Sequence, residues 1–206
     1  MMILITLIVF GIIFYIGVKL YQFDNSTFAK QTGYTFIKTM SDKKISNLKK
    51  IFDATSGPES KLLLNVKVEG VHQTQVADAI LINKAGIFVI AVNHKKGWIS
   101  GTDKSYEWVE QLYKNKRNMF PNPVNENVRM IYTLLDAHED LKKEYFEIML
   151  FFTNACSFQQ IEIQAPNVEV LKMNELNVWS KSMSANKLTK EQVTSFYELL
   201  MPYASH

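Results

Sequence analysis

The chain opens on its longest apolar stretch: from Met1 to Val18 no side chain carries a charge, and apolar character resumes past Lys19 in Leu20, Tyr21 and Phe23. About twenty apolar residues suffice to cross the hydrocarbon of a bilayer, with Lys19 reaching back to the headgroups and Tyr15 and Tyr21 near an interface. A cleaved signal peptide would carry a basic stretch before the apolar run and small residues at a cleavage site after it. This segment has neither, so residues 1–23 are expected to be a retained transmembrane anchor. Residues 24–40, polar and aromatic by turns with Gly33 as a breaker, read as a connector leading off the membrane surface.

A helical period then begins. Ile45, Leu48, Ile51 and Phe52 recur at helical spacing behind Ser41 as the expected N-cap and Asp42 at the positive end of the helix dipole, and Thr55-Ser56-Gly57-Pro58 closes the helix. Leu62 to Val68 reads as a strand, followed by a link containing His72, a lone histidine without partners at metal-ligand spacing. Next come two short apolar runs, Ala79–Ile82 and Ile87–Ile90, around Asn83-Lys84-Ala85-Gly86, which predict a β-hairpin. Both strands are apolar on both faces, so the hairpin belongs at the centre of a sheet covered on two sides. With Lys84 and Ala85 as the loop, Asn83 pairs with Gly86, Asp78 falls opposite Ala91, and Asn93 lies on the same face one pair further along. A carboxylate at that point must be hydrogen-bonded, paired or near a rim.

Downstream, Gly97-Trp98-Ile99 predicts a short strand with Trp98 packed on the sheet, and Glu107-Trp108-Val109 continues the pattern. Pro123 suits the first turn of a helix whose apolar stripe runs through Val124, Val128, Ile131, Leu134 and Leu135, with Met130 as core filler. Ile148–Phe152 reads as a buried strand, Val168–Leu171 as a last edge strand, and Thr189–Pro202 as an amphipathic helix facing Val193, Phe196, Leu199 and Leu200 inward. The order predicts an α/β domain with a mixed central sheet flanked by helices and preceded by one N-terminal transmembrane helix. Its divisions are an anchor at 1–23, a connector at 24–40, the domain at 41–178 and a helical tail at 179–206.

Composition narrows the picture. At 206 residues, 47% hydrophobic and 21% charged, the chain holds one ordinary domain plus an appendage. A net charge of +3 is too small to demand a nucleic-acid partner, although it permits weak attraction to DNA or anionic lipid. The single cysteine, Cys156, excludes an intrachain disulfide framework and a Cys-rich zinc site, and fits a structural thiol in a reducing compartment. Lys19, Lys30, Lys38, Lys43 and Lys44 follow the apolar segment with only Asp24 and Asp42 among them. By the positive-inside rule the expected location is the cell membrane, single-pass, amino terminus outside and domain in the cytoplasm. Lys114, Lys116 and Arg117 beside Phe120 form a small basic cluster that would suit a phosphate backbone, although such a run is more often a solvated loop face.

The run TQVADAILINKAGIFVIAVNHKKGWISG, the second tryptophan at Trp108 and the segment Asn122-Pro123-Val124-Asn125-Glu126-Asn127 together resemble the nuclease-related domain family, NERD. That family is a branch of the PD-(D/E)XK, restriction-endonuclease-like group, and the resemblance extends roughly from Gly33 to Val178. It implies a metal site in which two carboxylates hold a divalent ion and a lysine orients water. Asp78 falls on the family's Asp, whereas Ala91 and Asn93 stand where the family has the Glu and Lys of its Glu-x-Lys motif. Ser41-Asp42 aligns with an opening Gly-Glu, which makes Asp42 a candidate acid or simply a helix-start residue. Glu126 stands where Gln is usual, and Met130 where the family often has His. The resemblance therefore implies a membrane-anchored, catalytically degenerate binding or interaction module without a cofactor, and it argues against an enzyme. The alternative is a weak magnesium-dependent endonuclease acting on DNA through a relocated site, its metal held by Asp78. The implied partners are the membrane and, weakly, nucleic acid; a protein partner is left open.

Overall fold

The computed structural model describes residues 2–55, 57, 59–71, 73–113, 116–183 and 186–205. Ser56 and Pro58 of the expected helix stop, the lone His72 and Lys114 of the basic cluster lie outside the described residues. Helix α1 (Met2–Asp24) is the apolar segment, long and apolar enough to cross a membrane, with none of its most hydrophobic window buried in the protein. It is followed by α2 (Thr27–Thr32), α3 (Phe36–Ser41) and α4 (Lys43–Thr55).

The expected connector is thus two short helices. Ser26 caps α2 and Gly33 ends it in the left-handed conformation, at a φ of 71°, where a side chain would be strained. Phe28, Thr32 and Thr39 bury themselves against the domain. Gln31 also works as a piece of strand, accepting from the Leu62 amide at 2.8 Å and donating to the Ser60 carbonyl at 3.1 Å.

Five strands form the main sheet in the order β1-β2-β3-β7-β9: β1 (Lys61–Glu69), β2 (Thr74–Asn83), β3 (Gly86–Asn93), β7 (Phe146–Phe152) and β9 (Val168–Lys172). The hairpin sits in the middle with the expected register, Asn83 opposite Gly86 and Ala79 opposite Ile90. The sheet is mixed, because β3 and β7 run parallel, as do β7 and β9. On one face, α1 to α4 and α6 (Leu176–Ser182) cover Leu62, Leu81, Phe88, Ile90 and Phe151 through Phe23, Phe28, Leu48, Phe52 and Trp179. On the other, α5 (Pro123–Ala137) and α7 (Lys190–Leu200) cover Ile80, Ile82, Val89 and Leu150 through Val124, Met130, Leu134, Val193 and Phe196. Thr189 and Gln192 close a capping box at the start of α7, and Met130 is fully buried core.

A second sheet, not foreseen from the pattern, has the order β6-β5-β4-β8: β4 (Gly97–Thr102), β5 (Glu107–Gln111), β6 (Arg117–Pro121) and β8 (Cys156–Glu162). It continues the parallel pair β3 and β7 into the parallel pair β4 and β8 after a break at residues 94–96 and 153–155. One tryptophan expectation needs correction. Trp98 is half exposed, whereas Trp108 is fully buried, stacked on Phe152 and donating its indole N–H to the Thr102 carbonyl at 2.9 Å. Trp108 lies so closely over Gly101 that a Cβ there would come within 2.3 Å of the ring, so the glycine is the seat of the tryptophan.

Candidate functional site

Asp78 belongs to a place where two neighbouring strands change pleat together. Leu64 and Ala79 pair within one core, Val66 and Ala77 pair within the opposite core, and Asn65 between them takes a φ of 48°. The alternation of faces is thereby reset around Asn65 and Asp78, and the carboxylate is freed to turn toward the end of β3. There its Oδ2 accepts from the Val92 amide at 2.8 Å, so the hairpin ladder ends on a side chain. Its Oδ1 receives Lys44 Nζ at 2.7 Å from the first turn of α4.

A cavity of about 210 Å³ opens at this point, lined by Lys44, Asp78, Ala91, Asn93, Glu126 and Asn127 among others. The structure thus brings together the three positions expected from the hairpin and adds three that sequence reasoning missed or set aside, Lys44, Glu126 and Asn127. Glu126 lies in the first turn of α5, whose N-cap is Asn122 and whose first residue is Pro123. Glu126 is exposed as a residue, yet partial desolvation of its carboxyl pushes it above its usual range; Arg129 opposes that shift and the negative charge of Asp78 adds to it. Asn93 carries a buried side-chain nitrogen that finds no hydrogen-bond partner among the described residues. Asn127 is buried and spends its amide on the Pro123 carbonyl.

Asp42 is the N-cap of α4, one residue later than expected, because Ser41 is taken up as the last residue of α3. Its Oδ1 accepts from the Lys44 amide at 2.8 Å and the Ile45 amide at 3.2 Å, and its carbonyl accepts the first intrahelical bond from Ser46. Asp42 does not line the cavity around Asp78. It faces instead a larger cleft of about 660 Å³ at the break between the two sheets, with Lys43, Lys44, Lys50, His94, Lys96 and Thr153. Five basic or titratable side chains therefore line the cleft beside one carboxylate already committed to capping, and one of the five, Lys44, is engaged by Asp78. Glu110, buried on β5, holds the Lys96 amide at 2.7 Å and fixes that part of the rim. Lys116 and Arg117 are exposed at the start of β6 and line neither space.

A divalent ion of the kind the resemblance implies requires oxygen ligands that converge and are free to bind. Here both Asp78 oxygens are engaged, one by an ammonium group, and the residue facing it at 91 offers a methyl group. Among the described residues no group of three or more His, Cys, Asp or Glu side chains converges. The residues as arranged do not fit the ion. Lys44 delivers a positive charge to the carboxylate from a helix on the other side of the sheet. Nothing in its sequence neighbourhood distinguishes it from Lys43.

In comparison with known proteins, residues 41–153 match the model of the nuclease-related domain family. The chain is also 28% identical over 149 residues to an uncharacterized protein of Bacillus anthracis, a match that covers 70% of this chain and 68% of that relative. No solved structure matches the chain.

Proposed function

The chain belongs to the nuclease-related domain family, and from that premise we propose that it is a membrane-anchored, catalytically degenerate member that binds a phosphodiester ligand and does not cut it. One observation carries this reading: Lys44 Nζ sits 2.7 Å from the Asp78 carboxylate, where the family's metal would be needed, while Ala91 removes the second carboxylate and Asn93 the lysine. An ammonium group neutralises Asp78 without offering the Lewis acidity or the activated water that hydrolysis needs. The neighbouring cleft, lined by Lys43, Lys50 and Lys96, supplies charge for phosphate contacts. These lysines line a cleft, whereas Lys116 and Arg117 line neither space. The restriction-endonuclease-like fold, the anchor α1 and a cytoplasmic domain below it complete the proposal.

A second reading is favoured by Glu126. Its carboxylate shares the cavity with Asp78, so α5 offers a replacement acid for the one lost at Ala91, as a relocated magnesium-dependent nuclease site would require. Calorimetric titration of the full chain in detergent with magnesium and manganese, beside a plasmid-nicking assay, separates the two. The degenerate reading expects negligible metal heat and no nicking. The paired change Ala91→Glu with Asn93→Lys is expected to raise metal affinity, because a second carboxylate then joins Asp78. Robust metal-dependent nicking by the unmodified protein, abolished by Asp78→Ala and by Glu126→Gln, would establish the second reading instead.

A further inference from the structure

We propose that α3 rests on the surface of the bilayer that α1 crosses, with Ile37 and Met40 entering the boundary between headgroups and acyl chains. The inference rests on the reading of α1 as an anchor. At 1.5 Å per residue its 23 residues measure about 34 Å against a hydrocarbon thickness of about 30 Å, so its last turn lies at the interface. Tyr21, largely exposed, and Lys19, stacked over the Tyr15 ring, are residues suited to that level.

No spacer separates this turn from the domain. Phe23 is buried, with ring contacts to Phe28 and, at 5.6 Å between centroids, to Phe36 in the first turn of α3. This aromatic joint keeps α3 level with the end of α1. Around α3, Phe36 faces α1 and Thr39 is buried against the body. At about 100° per residue, Met40 and Ile37 lie about 40° and 100° round from Phe36, on the flank away from Thr39. They are 67% and 74% exposed, an unfavourable setting in water for two large apolar side chains so close to an apolar span. Lys38 on the same helix and Lys30 in the last turn of α2, both exposed, supply the charge that anionic headgroups prefer. Because Met40 also borders the lysine-lined cleft, this contact would hold the mouth of the cleft at a fixed height above the membrane.

The test uses the full chain in proteoliposomes containing anionic lipid, in a Cys156→Ser background. A bimane label is placed in turn at Ile37→Cys, Met40→Cys, Ile12→Cys within α1 and Tyr106→Cys in the exposed turn between β4 and β5, and quenching by lipids spin-labelled high on the acyl chain is measured. The expected result is several-fold stronger quenching at 37 and 40 than at 106, with 12 quenched as well. Quenching at 12 alone would overturn the surface contact while leaving the anchor standing. Absence of quenching at 12 would remove the anchor reading and this inference with it.

Discussion

Removing the Asp78 carboxylate breaks two bonds of unequal worth. The Val92 amide is buried, so leaving it without an acceptor is expected to cost about 1–3 kcal/mol, whereas Lys44 keeps 43% of its side chain in solvent and its ion pair is worth at most about 1 kcal/mol. Chemical unfolding followed by tryptophan fluorescence is thus expected to show Asp78→Ala clearly destabilised, with Asp78→Asn and Lys44→Met close to the parent. Equal losses in Asp78→Asn and Asp78→Ala would mean that the charge, rather than the amide bond, carries the stability. Glu126 gives a pH signature. Its folded-state value is raised, so the folded protein holds the proton more tightly, and this residue's contribution to stability falls as pH rises from the unfolded value through the folded one. Glu126→Gln is expected to be more stable than the parent at neutral pH, with the gain vanishing below about pH 4. A variant less stable at neutral pH would show that attraction to Arg129 outweighs desolvation. The meeting of Asp78, Ala91 and Asn93 was legible in the sequence because a two-residue loop fixes the register of its strands. The approach of Lys44 was not, since it depends on how one layer lies over another and leaves no periodic trace.

Two elements invite direct tests. Asp42→Ala is expected to cost about 1 kcal/mol through the loss of the α4 cap, with Asp42→Asn nearly neutral, and metal titration unchanged in both. A large change in metal heat with Asp42→Asn would return this residue to the site. Gly101→Ala puts a methyl group into the Trp108 ring and is expected to cost about 1–3 kcal/mol by overpacking, with a shift in tryptophan emission. An unchanged spectrum and stability would mean that the strand slides freely past the ring. The expectation for Ser41 missed by one residue because α3 and α4 abut, which turns the last residue of one helix into the neighbour of the next helix's cap. Trp98 misled for a different reason: β4 and β5, which carry the two tryptophans, are both inner strands of a second sheet, and their short patterns do not distinguish the exposed tryptophan from the buried one. Strand β8 escaped notice because its residues Ser157, Gln159 and Gln160 keep most of it in solvent, without the clean alternation that marks a half-buried strand.

For the molecule as a whole, the lysines after α1 set an expectation about sidedness. In intact cells, cysteines placed at Asn25 or Tyr106 in a Cys156→Ser background are expected to be shielded from membrane-impermeant thiol reagents. Ready labelling at both would put the domain outside. The sheet and its two helical coverings were legible from apolar runs, because a strand buried on both faces must be covered on both. The role of residues 24–40 was not, because Gln31 acts by reaching sideways to a strand that begins thirty residues later. At the far end of the chain, Ser205 does the same for that strand, its amide on the Leu64 carbonyl and its hydroxyl on the Asn65 carbonyl. Strand β1 is the outermost of its sheet, and these two distant segments are what occupy its open flank. A fragment trimmed to 41–178 would lose both, and with them α7 and Trp179 from the coverings of the sheet, and would present bare amides and carbonyls beside uncovered apolar surface, an invitation to association between copies. Such a fragment is expected to elute as dimers and larger species on gel filtration where the full chain in detergent stays discrete, so the natural boundaries of this fold are set by what shields it from itself.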